Sequence, residues 1–191
     1  KSLVVASPES GEGRSYLAAN LAIVFSQLGE RTLLVDADMR EPRQHYLFLL
    51  ENQIGLSTLL AGRSREEAIV RVSDLAGLSV LPAGPTPPNP LELLNRLNFD
   101  EFMIQAKSAY DVIIVDTPAM TSGEDAAMIA VHTGAALAVA RSGSTRVAAY
   151  TDLVQGLMDA GVAVVGSVLN EVPIKKKKKV KKFGFKRVGG R

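Results

Sequence analysis

The residues best placed to do chemistry fall in three short stretches. The first is "SPESGEGRS" (7–15), where Gly11 and Gly13 precede Arg14 and the hydroxyl of Ser15. Glycines at this spacing let backbone amides turn toward a phosphate, and a helix starting there adds its own N-terminal N–H groups. Ser15 stands where such loops place a magnesium-ligating hydroxyl. Pro8 and Arg14, however, replace the first glycine and the lysine of the full GxxxxGK[ST] pattern. Taken alone, a plain strand–turn–helix connection fits as well. The second stretch, "LLVDADMR" (33–40), ends a strand-like run in two carboxylates, Asp36 and Asp38. On a strand both would point the same way, and two acids followed by Arg40 exceed what a helix cap needs. The third, "VIIVDTP" (112–118), ends in Asp116, the form of an acid that holds a magnesium-bound water. A lone aspartate there is ordinarily an Asx-turn residue. Three such stretches in the right order, each at a strand end, point to a nucleotide–magnesium site.

A scaffold must bring those strand ends together. Runs rich in Val, Ile and Leu predict strands over 3–7, 32–38, 78–84, 111–118, 135–143 and 162–170. They are nearly continuous rather than alternating, the pattern of strands covered on both faces. Helices are predicted near 14–29, 55–61, 65–71, 98–109, 122–132 and 145–160, with Gly29 and Gly161 as terminating glycines. The alternation predicts an α/β fold: an open, mostly parallel sheet with helices on both faces and ligands at the C-terminal strand ends. "AGPTPPNP" (83–90) reads as a proline-rich loop too short to be a linker, and no internal repeat is visible.

Composition excludes several alternatives. The 191 residues suit one domain, 1–174, followed by a basic tail, 175–191. The absence of cysteine excludes thiolate metal sites, and having only His45 and His132 argues against a histidine-rich metal centre. No apolar run reaches the ~18 residues of a membrane span. The opening "SLVVAS" reads as a strand rather than a signal peptide, and so abrupt a start suggests a piece of something longer. The net charge of +2 hides an asymmetry. Residues 171–191 hold ten Lys or Arg and one Glu, while 1–170 carry a net −7. The tail should be solvated and seek polyanions such as anionic lipid, whereas the acidic body argues against specific nucleic-acid binding.

"ASPESGEGRS", "LLVDADMR" and "VIIVDTP" resemble the Walker A, Walker A′ and Walker B motifs of the bacterial protein-tyrosine kinases. These are P-loop NTPase-fold kinases that act with the chain-length regulators of capsule and exopolysaccharide export. The resemblance continues through "GLSTLLAG" (55–62), "LSVLPAGPTPPNPLELL" (78–94), "YDVIIVDTP" (110–118) and "GSVLN" (166–170), nearly all of the body. It implies ATP/ADP and Mg2+ as cofactors, with nucleotide contacts from Gly11, Glu12, Gly13, Arg14, Ser15, Tyr16 and Asn170, the last near adenine. It implies magnesium held by Ser15 and Asp116 with support from Asp36. Asp38 would activate a tyrosine hydroxyl, and Arg14 and Asp36 would take part in catalysis. It further implies a membrane-spanning regulator as partner, on the same or a separate chain. A homo-oligomeric ring and a place in the cytoplasm at the inner face of the bacterial plasma membrane would follow.

The sequence departs from that family at two places. Arg14 is planar and bulkier than the usual lysine. The tail carries Phe183 and Phe185 where such kinases cluster tyrosines, so the only tyrosines are Tyr16, Tyr46, Tyr110 and Tyr150. The oligomerisation helix usual upstream of the first strand is also not among these residues. Two other readings use the same motifs: a nucleotide-binding regulator with weak catalysis, and a partition- or division-site-type positioning ATPase. Glu9 and Ser10 stand where the last would carry an additional lysine. His45, Arg40, Arg43 and Arg141 are minor candidates near the strand ends, and the sequence does not choose among them.

Overall fold

The computed structural model describes residues 1–63, 67–94, 97–123 and 125–173. Seven strands form one sheet: β1 (Ser2–Ala6), β2 (Thr32–Asp36), β3 (Val70–Arg71), β4 (Leu78–Leu81), β5 (Val112–Asp116), β6 (Ala135–Arg141) and β7 (Ala163–Asn170). Their spatial order is β3-β4-β2-β5-β1-β6-β7, and every neighbouring pair is parallel except the antiparallel β3–β4. The expected fold class holds.

Successive residues of a strand face opposite sides, and both sides are covered. Val5, Leu34 and Ile114 pack under Ala18, Ala19 and Ala22 of α1 (Arg14–Gln27). Those small side chains let the helix lie close on the sheet. Val4, Val35, Ile113 and Val115 face the other side, where the core is completed by α3 (Leu56–Leu60), α4 (Pro90–Leu94), α5 (Leu97–Ala109), α6 (Asp125–Thr133) and α7 (Val147–Asp159). A short α2 (Gln44–Leu47) follows β2. Gly29, at φ 91°, ends α1 by letting the Glu30 amide return to the Phe25 carbonyl at 3.2 Å.

Two expectations need correcting. The helix predicted over 65–71 does not extend to its end, because Val70–Arg71 is a strand paired with Ser79 and Val80. The alternating "VRV" fits the open edge of β4, and that tertiary pairing overrides the local helical pattern; residues 64–66 lie outside the described residues. The strand at 162–170 is not covered on both faces: β7 is the outer strand and alternates between exposed and half-buried residues. The proline-rich loop expected from residue 83 runs to Asn89, and a short helix that the sequence did not signal follows it. Pro90 begins α4 at the position where a missing N–H costs nothing, and Asn89 Oδ1 accepts from the Glu92 amide at 3.3 Å. The basic tail from 175 onward lies outside the described residues.

Candidate functional site

Register brings the three motifs together. Asp36 pairs with Asp116 across β2–β5, and Asp116 pairs with Val5 across β5–β1. The chain leaving β1 therefore starts beside both acids. From Ser7 to Gly13 it forms a loop in which Gly11 and Gly13 adopt left-handed φ of 79° and 88°. α1 then begins without any side-chain cap, so its first N–H groups are free for an anion. Gly13 cannot be larger: a Cβ there would sit 2.0 Å from Asn170 Nδ2. Asn170, at the end of β7, donates to the Glu12 carbonyl at 3.1 Å and so holds the loop from the far side of the sheet.

The acids lie below this loop. Asp36 is fully buried, and its Oδ2 accepts from the Arg43 and Gln44 amides at 3.0 and 2.9 Å, while Oδ1 faces the Asp38 amide at 3.3 Å. It is therefore the anchor for the start of α2. Burial pushes its pKa well up, Asp116 adds to the rise, and the two amides oppose it. Asp38 lies just beyond the paired part of β2. Its Oδ1 accepts from the Arg40 and Glu41 amides at 3.2 and 2.9 Å, and its Oδ2 meets Arg14 Nη2 at 3.2 Å. Asp116, also fully buried, receives Gln44 Nε2 on Oδ2 at 2.8 Å, whereas its Oδ1 has no hydrogen-bond partner. Burial raises its pKa to about 6, against the lowering effects of Arg14, Gln44 and Ser15.

Sequence reasoning missed Gln44. It is fully buried, and its Nε2 also donates to the Ser15 carbonyl at 3.0 Å, so one side chain ties α2, α1 and β5 together. A polar residue eight positions after a strand-end acid gives no sequence signal of such a role. Glu12 lines the cleft as part of the loop, while its carboxylate is buried and turned back into the protein. It accepts from the Glu9 amide at 3.0 Å and from the Thr145 hydroxyl.

Of the open candidates, Arg141 Nη1 donates to the Gly11 carbonyl at 3.2 Å, and Arg40 is pinned to Asp125 at 2.8 Å. Arg43 lines the mouth of the cleft, together with the two-thirds-exposed Tyr16. His45 is half-buried beside Tyr46, its rings' centroids 3.9 Å apart, and its pKa is lowered by burial and by Arg43. The cleft itself is about 270 Å³, bounded by the loop from Ser10 to Tyr16 with Asp38, Glu41 and Arg43.

An uncapped helix start behind a glycine loop, with acids from β2 and β5 beneath it, defines a P-loop nucleotide-binding domain. The CobQ/CobB/MinD/ParA nucleotide binding domain matches residues 3–189. The chain is 37% identical over 186 residues to tyrosine-protein kinase YwqD of Bacillus subtilis, spanning 97% of this chain and 78% of that one. It is 36% identical over 167 residues to tyrosine-protein kinase Etk of Escherichia coli, spanning 87% of this chain and 23% of that protein. The solved kinase domain of Etk superposes with a TM-score of 0.87 at 34% identity, over 97% of this chain and 72% of that one. Within the P-loop class, this chain belongs to the bacterial tyrosine-protein kinases. A septum site-determining protein MinD from Pyrococcus horikoshii, solved with Mg-ADP, shares the fold with a TM-score of 0.75 at 23% identity, over 88% of this chain and 69% of that one.

Proposed function

We propose that the chain is an ATP-dependent protein-tyrosine kinase that binds Mg-ATP in the cleft between the phosphate loop and Asp38. The observation that carries this reading is the unpaired Oδ1 of Asp116, a buried carboxylate oxygen facing the start of a helix whose amides are free. Amides from Gly11 to Ser15 would hold the phosphate oxygens, with Tyr16 and Asn170 bounding the nucleotide. Asp116 and the Ser15 hydroxyl would hold magnesium, which supplies charge neutralisation at the terminal phosphates. Two protein ligands suffice, since this ion ordinarily keeps waters and substrate oxygens as its others. Asp36, saturated by backbone amides, would act by fixing α2 and Asp38 rather than by direct ligation. Asp38 would accept the proton of a tyrosine hydroxyl as its oxygen takes the γ-phosphoryl group and ADP departs.

Membership among these kinases supports a place in capsule or exopolysaccharide export. Etk is a chain more than four times the length matched here, which supports a kinase region that works with further protein segments; a membrane-spanning regulator as partner, a ring of copies and a position at the inner face of the plasma membrane belong to the same proposal. Among the described residues no helix is long and apolar enough to cross a membrane. A second reading, a nucleotide-binding regulator with weak catalysis, is favoured by one observation: Arg14 is engaged with Ser7 and Asp38 rather than extended into the cleft.

Incubation with γ-labelled ATP and magnesium, offering an added tyrosine-containing polypeptide, separates the readings. Label on tyrosine is the expected result. Label in free phosphate alone indicates an ATPase, and bound but unconsumed ATP indicates the regulator.

A further inference from the structure

The acid cluster beneath the phosphate loop already holds a cation. The Arg14 side chain is only 7% exposed, and its three nitrogens all point into the site. Nη1 donates to Ser7 Oγ at 2.6 Å and Nη2 to Asp38 Oδ2 at 3.2 Å. Nε stops 3.6 Å from Asp116 Oδ1, and both of those atoms are buried with no hydrogen-bond partner. The neighbouring arginines do not share this task, since Arg40 is held by Asp125 and Arg43 is exposed. The guanidinium is thus bound firmly at Asp38 and Ser7 and incompletely at Asp116.

We propose that Arg14 is a built-in counter-ion that engages Asp38 and competes with divalent metal for Asp116, and that nucleotide phosphates admit the metal by drawing the guanidinium away. The proposal rests on the nucleotide–magnesium reading of the cleft and adds a regulation to it. A planar guanidinium spreads five fixed donors over three nitrogens and can span a hydroxyl and two separated carboxylates; a lysine ammonium has three donors on one nitrogen and reaches only acceptors that converge on it. Like charges repel strongly where water is excluded, so guanidinium and metal cannot both sit between these acids. Asp116 Oδ1, left unsatisfied by Nε, is the oxygen through which an entering cation gains most. The cleft gives the guanidinium an exit, because Arg14 and Asp38 both line it together with the loop amides that would hold phosphate. The same movement would release Asp38, so one side chain restrains both the metal position and the proposed base. Metal and nucleotide must then bind with positive coupling, and Arg14 is its source.

Manganese, a paramagnetic stand-in for magnesium, provides a readout independent of turnover. It is titrated into the full chain, Arg14→Lys and Arg14→Met, first without nucleotide and then with saturating ADP. Without nucleotide, Arg14→Met should bind Mn2+ about tenfold more tightly than the parent, a factor typical of coupled sites, with Arg14→Lys between them. ADP should strengthen metal binding most in the parent and least in Arg14→Met. If Arg14→Met fails to fold with its acids uncompensated, Arg14→Lys keeps the charge and decides the question alone. Equal Mn2+ affinity in the parent and the folded variants, or an equal gain from ADP in each, overturns the counter-ion role. Failure of ADP to bind any of them, with Mn2+ still tightening when Arg14 is changed, would uphold this role while sinking the nucleotide reading. No Mn2+ binding under any condition overturns both.

Discussion

Asp116 is fully buried and one of its oxygens has no donor, so its charge is costly unless a cation completes it. Asp116→Asn keeps the side-chain volume and removes that charge. ADP affinities measured by calorimetry with and without magnesium should then converge to within about threefold, because the metal has lost its carboxylate. A full magnesium effect in Asp116→Asn would place the metal elsewhere. Gln44 belongs to the same scale. Its amide joins Asp116 to the Ser15 carbonyl, and its truncation leaves a carboxylate oxygen and a carbonyl unpaired. Gln44→Ala should therefore lower stability by about 2–4 kcal/mol in denaturant melts, larger than the median substitution.

Elements reach the site only through a few close approaches. α3 docks on the end of β4 through the Leu56 and Ser57 amides, which donate to the Pro82 and Ala83 carbonyls at 2.7 and 2.8 Å. Gly55 makes this possible, since a Cβ would lie 2.3 Å from the Pro82 carbonyl oxygen and the Gly84 amide. Gly55→Ala should destabilise by roughly 3 kcal/mol or more and lower the melting temperature by several degrees, the obstacle being backbone rather than a flexible side chain. At the opposite end of the sheet, Arg31 before β2 forms a two-pronged pair with Asp111 before β5, at 3.0 and 2.8 Å. This pair and the Arg31 amide hold the Asp111 pKa down to about 2 from 3.8. A depressed carboxyl contributes its stability above pH ~4, and that contribution fades as pH falls toward 2. The pair is exposed, so the effect is small and weakens with salt. Acid melts of Asp111→Asn should show a shallower fall between pH 4 and 2 than the parent; identical slopes would remove the pair from the acid response.

For the molecule as a whole, charge is the organising quantity. The body is net −7 up to residue 170, and ten of the 22 basic residues follow. We expect the chain to sediment with vesicles containing anionic lipid and to be released as salt rises, each Lys or Arg near the surface adding at most ~1 kcal/mol. A chain ending at Asn170 that still sediments would show that the tail is not the anchor. Much of this protein was legible from the sequence. Strand ends at Asp36 and Asp116, the loop glycines Gly11 and Gly13 and the terminating Gly29 follow from local chemistry: β-branched runs, left-handed turns and helix stops. What local chemistry cannot contain is who sits beside whom. Val70 and Arg71 became a strand because β4 had an open edge, and Gln44 became the link among three elements because Asp36 caps α2. Arg14 reads as a phosphate ligand by its place in the motif. Only the β2–β5–β1 register, which sets two acids beneath that loop, turns its guanidinium inward, because a buried charge goes to the nearest opposite one.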